Sequence, residues 1–183
     1  MSYPVSISLT REASASRVQL IFGFLIALPD SIVLFFKSIL ASIYMFLACF
    51  TILFTGKYPQ GWWEYSKGVA ITSAQLQAYL MNLTTKKGSE SLVKIDLAYP
   101  GSWSRLKLIF GAFFLIPHFF LGIFKAIGFI FVHGISFWTI LFAGTYPEGM
   151  WNYAYSFYRF TTRITFFSQL LLSDTPPTSG KAD

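Results

Sequence analysis

The chain has 183 residues, of which 54% are apolar and 20% aromatic, while only 12% are charged, about half the share usual in a soluble domain. Its net charge of +6 comes from basic residues that flank apolar segments and form no contiguous patch, a placement that excludes a nucleic-acid partner. Two almost wholly apolar runs, 18–55 and 106–143, are each about twice the ~20 residues needed for one membrane crossing, so the composition excludes an ordinary soluble core and predicts an integral membrane protein.

In chain order, Met1 to Thr10 lack the basic, apolar and small-residue succession of a secretory leader, and the first apolar run is expected to act as an uncleaved anchor. Val5, Ile7 and Leu9 alternate with Ser6 and Ser8, which predicts a strand over 4–10. The run 18–55 reads either as one helix of roughly 57 Å or as a hairpin of two spans. One straight crossing leaves Lys37 near mid-membrane, at several kcal/mol. A hairpin turning near 36–38 carries Lys37 to the far interface, where it can snorkel. The hairpin is therefore the expected form, with Pro29 bending its first helix. Cys49 reads as a small hydrophobe facing lipid or a neighbouring helix, and a single cysteine makes no disulfide framework. Gly56, Tyr58 and Pro59 predict a turn that ends the apolar run. Beyond it, Trp62, Tyr65, Val69, Leu76, Leu80 and Leu83 recur at helical spacing, predicting an amphipathic interfacial helix over 62–83 with its aromatics among the headgroups. Thr84 to Glu90 form the clear polar break.

After that break the pattern repeats without a gap at an offset of 88, as from Arg17 to Arg105. Leu20, Ile21, Phe22 and Gly23 recur as Leu108, Ile109, Phe110 and Gly111. Pro29 recurs as Pro117, Lys37 as Lys125, and Gly56, Tyr58, Pro59, Trp63 and Tyr65 as Gly144, Tyr146, Pro147, Trp151 and Tyr153. Roughly a third of paired positions are identical, far above chance for unrelated segments. The chain thus reads as two tandem units, 1–88 and 89–183. The second holds a strand over 92–98, a hairpin over 106–143 turning near 124–128, a surface helix over 150–172 and a flexible tail over 174–183. The expected fold is all-α and membrane-integral: four transmembrane helices in two hairpins, two interfacial helices, and short strands able to pair with each other across a pseudo-twofold. With hairpins, 12 of the 14 basic residues share one side, leaving Lys37 and Lys125 on the other. That asymmetry predicts a multi-pass protein of the bacterial cytoplasmic membrane with both termini cytoplasmic.

Laid out this way, the chain resembles the bacterial membrane-protein family catalogued as domain of unknown function 4389. The likeness rests on Tyr3, Pro4 and Val5, on Trp103, Ser104 and Arg105, and on Ile116, Pro117 and His118. It rests most on Phe54-x-Gly56-x-Tyr58-Pro59 and its copy Phe142-x-Gly144-x-Tyr146-Pro147. Further matches are Ala78 and Tyr79, Arg159 and Arg163, and Asp174 with Pro176 and Pro177. The first copy departs from the pattern, with Asp30, Ile71 and Gln75 where the second has His118, Arg159 and Arg163. The resemblance implies a membrane fold and no known chemistry.

Several residues are candidates for a site. His118 and His133, on facing helices of a hairpin, could hold a haem b iron axially, although a lone intramembrane histidine is more often a helix-to-helix hydrogen-bond donor. Asp30 is an ionisable group in an apolar run and hence a candidate polar or ligand contact. Arg159 and Arg163 lie one helical turn apart and are expected to meet lipid headgroups or a partner, as are Trp63 and Trp151. The residues present no metal-ligand cluster, no nucleophile–base pair and no phosphate loop, so no catalytic residue, no metal and no cofactor beyond the haem option are expected. The expected role is a non-catalytic accessory or scaffold subunit contacting lipids and other integral membrane subunits. The alternatives are a small transporter or channel acting as an oligomer, or a haem- or quinone-binding subunit.

Overall fold

A computed structural model describes residues 5–12, 14–88 and 92–172. Tyr3 and Pro4, Ser89 and Glu90 of the polar break, Asp174 with its two prolines, and the tail 174–183 lie outside the described residues. The element order is β1 (Val5–Leu9), α1 (Arg17–Thr55), α2 (Gln60–Leu80), β2 (Val93–Leu97), α3 (Arg105–Ala143) and α4 (Glu148–Ser168). Every element of the second half starts and ends 88 residues after its counterpart in the first.

Each apolar run is one continuous helix of 39 residues, where the sequence pointed to a hairpin. Nothing at 36–38 or 124–128 breaks the backbone ladder. Ser38 donates its hydroxyl to the Phe35 carbonyl and Ser42 donates to Ser38, so these polar side chains fold back onto the helix they sit in. Pro29 and Pro117 are both accommodated inside the helices. The 12-to-2 split of basic residues assumed hairpins, and with continuous helices it no longer marks opposite sides of a membrane. Both helices are long and apolar enough to cross one.

The helix ends follow from local chemistry. Ser16 caps α1 by accepting the Gln19 N–H at 3.2 Å. Gly56 ends it in the left-handed conformation (φ 73°), with its N–H on the Ile52 carbonyl, and Gly144 does the same after α3 (φ 70°). Pro59 and Pro147 then start α2 and α4, so Gly-x-Tyr-Pro is a helix stop followed by a helix start. The predicted surface helices thus begin two residues earlier than expected and end within four residues of the expected limits.

The strands pair antiparallel in the register Val5↔Leu97, Ile7↔Ile95, Leu9↔Val93. Ile7 opposes its own copy, which puts the pseudo-twofold at the centre of the ribbon. Val5, Ile7, Val93, Ile95 and Leu97 face inward, while Ser6, Ser8, Lys94 and Asp96 are exposed. The sheet packs on α2 and α4, α2 packs on α1, and α4 packs on α3; among the described residues the strands touch neither long helix. The result is three layers: ribbon, then α2 and α4, then α1 and α3. One core joins them through Ala48, Ile52, Trp63, Ala74, Ile140, Ala154, Tyr158 and Phe166.

The two units are stitched together by contacts that recur about the twofold. Arg17 donates to the Phe142 carbonyl and Arg105 to the Phe54 carbonyl, both at 3.0 Å. The Ala15 N–H bonds Gly144 and the Trp103 N–H bonds Gly56, each at 2.9 Å. The start of each long helix therefore meets the end of the other, so α1 and α3 run antiparallel in matched register.

Candidate functional site

Asp30 and Lys37 of α1 and His118 of α3 border grooves shared with α2 and α4. In the first unit Asp30 pairs with Lys87 at 2.5 Å, and Lys87 also donates to the Ile26 carbonyl at 3.1 Å. The pair lies in a groove of about 360 Å³ lined by Val33, Leu34, Lys37, Thr72 and Leu76. Nearer the start of α1, the buried Gln19 amide donates to the Tyr79 carbonyl at 2.6 Å and the Thr84 carbonyl at 2.8 Å. Glu12 accepts from both the N–H and the hydroxyl of Thr85. The polar break after α2 is thereby held against the start of α1. Asp30 is consequently half of a partly exposed ion pair with the chain's own lysine.

In the second unit the matching groove, about 460 Å³, is lined by Leu115, His118, Phe119, Gly122, Phe157 and Phe160. His118 is buried, with Nδ1 2.9 Å from the Phe114 carbonyl one turn back and its ring stacked on Phe160 at 6.3 Å. An imidazole nitrogen bonded to a carbonyl is the donor, so Nδ1 carries the proton. Phe160 also receives the Lys125 ammonium over its ring at 4.4 Å. His133 stacks on Phe129 at 5.2 Å, and its Nδ1 is buried with no hydrogen-bond partner among the described residues.

The two histidines do not face each other. They belong to one continuous helix fifteen residues apart, about 22 Å along its axis, and no single iron can accept both. The facing arrangement required a turn near 124–128 that α3 does not make.

Arg159 and Arg163 are buried, at 8% and 2% exposure, so the expected headgroup contact is replaced by an interior position. Arg159 lays its guanidinium 4.4 Å over the Tyr155 ring. The two arginines do share a face, but α4 turns that face inward because the same side carries Tyr158, Phe160, Phe166 and Phe167. Trp63 and Trp151 are likewise interior, at 2% and 6% exposure. Trp63 Nε1 donates to the Leu171 carbonyl at 3.1 Å and Trp151 Nε1 to the Leu83 carbonyl at 3.3 Å, so each tryptophan reaches the end of the other unit's helix. An aromatic indole with one N–H suits a lipid interface and an inter-unit seam equally well, so sequence alone pointed to headgroups or a partner and not to the chain's own other half.

Other residues that recur at the offset carried a sequence signal without a partner, some joining helices within a unit and some joining the two units. Tyr65 and Tyr153 recur at the offset, and their hydroxyls donate to the Lys37 and Lys125 carbonyls at 3.4 and 3.1 Å. Lys67 and Tyr155 occupy equivalent positions with different chemistry. Lys67 donates to the Leu97 carbonyl at 2.6 Å, whereas the Tyr155 hydroxyl donates to Ile7 at 2.8 Å, so both anchor the ribbon to its helix. Tyr158 donates to the Ala74 carbonyl at 2.9 Å where α4 meets α2. Burial pushes the Tyr158 hydroxyl far above the usual phenol range.

What dominates the surface is apolar. On α1, exposed Val18, Phe24, Val33, Phe36, Phe46 and Phe54 run from one end to the other, and on α3 Leu106, Phe113, Phe119, Phe124, Phe131 and Phe142 do the same. Compared with family models, curated proteins and solved structures, the chain matches none.

Proposed function

We propose that this protein is a non-catalytic, membrane-embedded scaffold or accessory subunit of the bacterial cytoplasmic membrane, and a two-copy member of the family it resembles. The observation that carries the reading is the unbroken apolar surface along both 39-residue helices. Monomeric soluble proteins rarely expose contiguous apolar patches beyond a few hundred Å², and bare phenylalanines along two such helices exceed that. Acyl chains are the solvent that leaves this surface at low free energy.

The accessory role is favoured over transport by how the polar groups of the long helices are used. Asp30 pairs with Lys87, Gln19 with two carbonyls and His118 with Phe114, while the His133 ring stacks on Phe129. Groups consumed in fixed contacts hold helices in place, whereas a solute pathway needs polar groups turned to a common lumen.

The test is purification from native membranes in mild detergent, with identification of co-purifying proteins. Retention in the membrane after alkaline carbonate washing, together with a stoichiometric membrane partner, is the expected result. A homo-oligomer that conducts ions or solutes in liposomes, with flux abolished by Asp30→Asn or His118→Ala, overturns the accessory reading.

A further inference from the structure

We infer that the two long helices lie along a single leaflet, so that both ends of each helix are on the same membrane face and neither helix crosses the bilayer. The inference rests on the membrane reading above and gives it an orientation.

The layer order supplies the first step. The ribbon contacts α2 and α4, and these contact α1 and α3, so the ribbon stands on the opposite side of the molecule from the apolar helices. Its outer face is Ser6, Ser8, Lys94 and Asp96. The middle layer adds exposed polar positions, Gln60 and Glu64 on α2 and Glu148 and Asn152 on α4, alongside the partly exposed Leu80 and Tyr153. One side of the molecule suits water and the other suits acyl chains.

The twofold supplies the second step. Because Arg17 meets Phe142 and Arg105 meets Phe54, the axis passes at the level of the helix midpoints, near Lys37 and Lys125. The same axis passes through Ile7 and Ile95 of the ribbon. If α1 and α3 stood across the bilayer, the ribbon would therefore lie at the midplane. Lys94 and Asp96 would face hydrocarbon, and a two-stranded ribbon would leave the backbone groups of both outer edges unsatisfied there. Hydrocarbon tolerates neither charges of that kind nor open strand edges.

Length supplies the third step. A 39-residue helix extends about 58 Å, nearly twice the ~30 Å hydrocarbon thickness, so an upright helix would push exposed phenylalanines such as Phe24 or Phe54 toward water. Laid flat, the whole apolar arc is immersed. Lys37, at the mouth of the groove beside Thr72, and Arg17 and Arg105, at the helix starts, then reach the headgroup level.

The test uses the full chain with Cys49→Ser and one introduced cysteine at a time: Ser14→Cys, Lys57→Cys, Lys94→Cys, Thr145→Cys or Phe36→Cys, all at exposed positions. Each is treated with a membrane-impermeant maleimide in right-side-out and inverted vesicles. Positions 14, 57, 94 and 145 are expected to label from one and the same side, and position 36 from neither. A nitroxide at position 36 should report a depth within the leaflet nearer that side. Opposite labelling of 14 and 57, any other split among the four, labelling at 36, or a depth in the far leaflet overturns the inference. Release of the unmodified protein by alkaline carbonate would instead defeat the membrane reading itself.

Discussion

At the scale of single residues, buried polar groups are placed where their partners are backbone carbonyls. Gln19 satisfies two carbonyls at once, those of Tyr79 and Thr84. Gln19→Leu keeps the volume and removes both bonds; the Tyr79 carbonyl still accepts the Asn82 N–H, but the Thr84 carbonyl loses its donor, at about 1–3 kcal/mol. The variant should melt at lower temperature in detergent, while Gln19→Glu cannot rescue it because a carboxylate only accepts. Tyr158 makes a different point. Its folded form resists ionisation because burial disfavours the phenolate, whereas the unfolded chain releases the proton near the ordinary pKa of about 10. Its contribution is therefore complete below pH 10 and is lost as pH rises beyond that value. Unfolding followed from pH 8 to 11 should show falling stability, and Tyr158→Phe should remove part of that fall and cost about 1 kcal/mol at pH 8 through the lost bond to Ala74.

At the scale of elements, neither long helix carries a basic residue in its last turn, although a helix C-terminus attracts positive charge. The missing cation arrives from the other unit, as Arg17 at the end of α3 and Arg105 at the end of α1. Each replacement by alanine should cost about 0.3–1 kcal/mol. The two sites are at opposite ends of the helix pair and share no partner, so the double variant should show the sum in a thermal melt. A non-additive result would mean that the helix pair shifts as a body. The elements themselves were largely legible beforehand. Alternation at Val5, Ile7 and Leu9 announced a strand, and Gly56 with Pro59 announced a stop and a start. The continuity of the long helices was not legible, because a lysine at mid-run is costly in an upright crossing helix, and a turn there is the local way to carry it to an interface. An interior lysine is unfavourable in a crossing helix, but α2 and α4 offer another environment that periodicity along one segment does not reveal.

At the scale of the whole molecule, the units depend on each other. The ribbon takes one strand from each, each tryptophan seam bonds to the opposite unit, and each long helix is capped by the other. Residues 1–88 and 89–183 expressed as separate chains in one cell should therefore co-purify through a tag on either one. Trp63→Phe together with Trp151→Phe should weaken that recovery, since both seam donors are lost. Recovery of either half alone as a stable monomer would contradict the mutual dependence.

The apolar runs, the 88-residue offset, the strand alternation and the Gly-x-Tyr-Pro punctuation were set by local composition and spacing, because helices, strands and turns answer to nearest neighbours along the chain. The destinations of Trp63, Trp151, Arg159 and Arg163, the separation of His118 from His133, and the pairing of Asp30 with Lys87 were decided only in three dimensions. An amphipathic face has the same periodicity whether lipid or protein covers it, and only the packing of α2 and α4 beneath the ribbon shows that protein does.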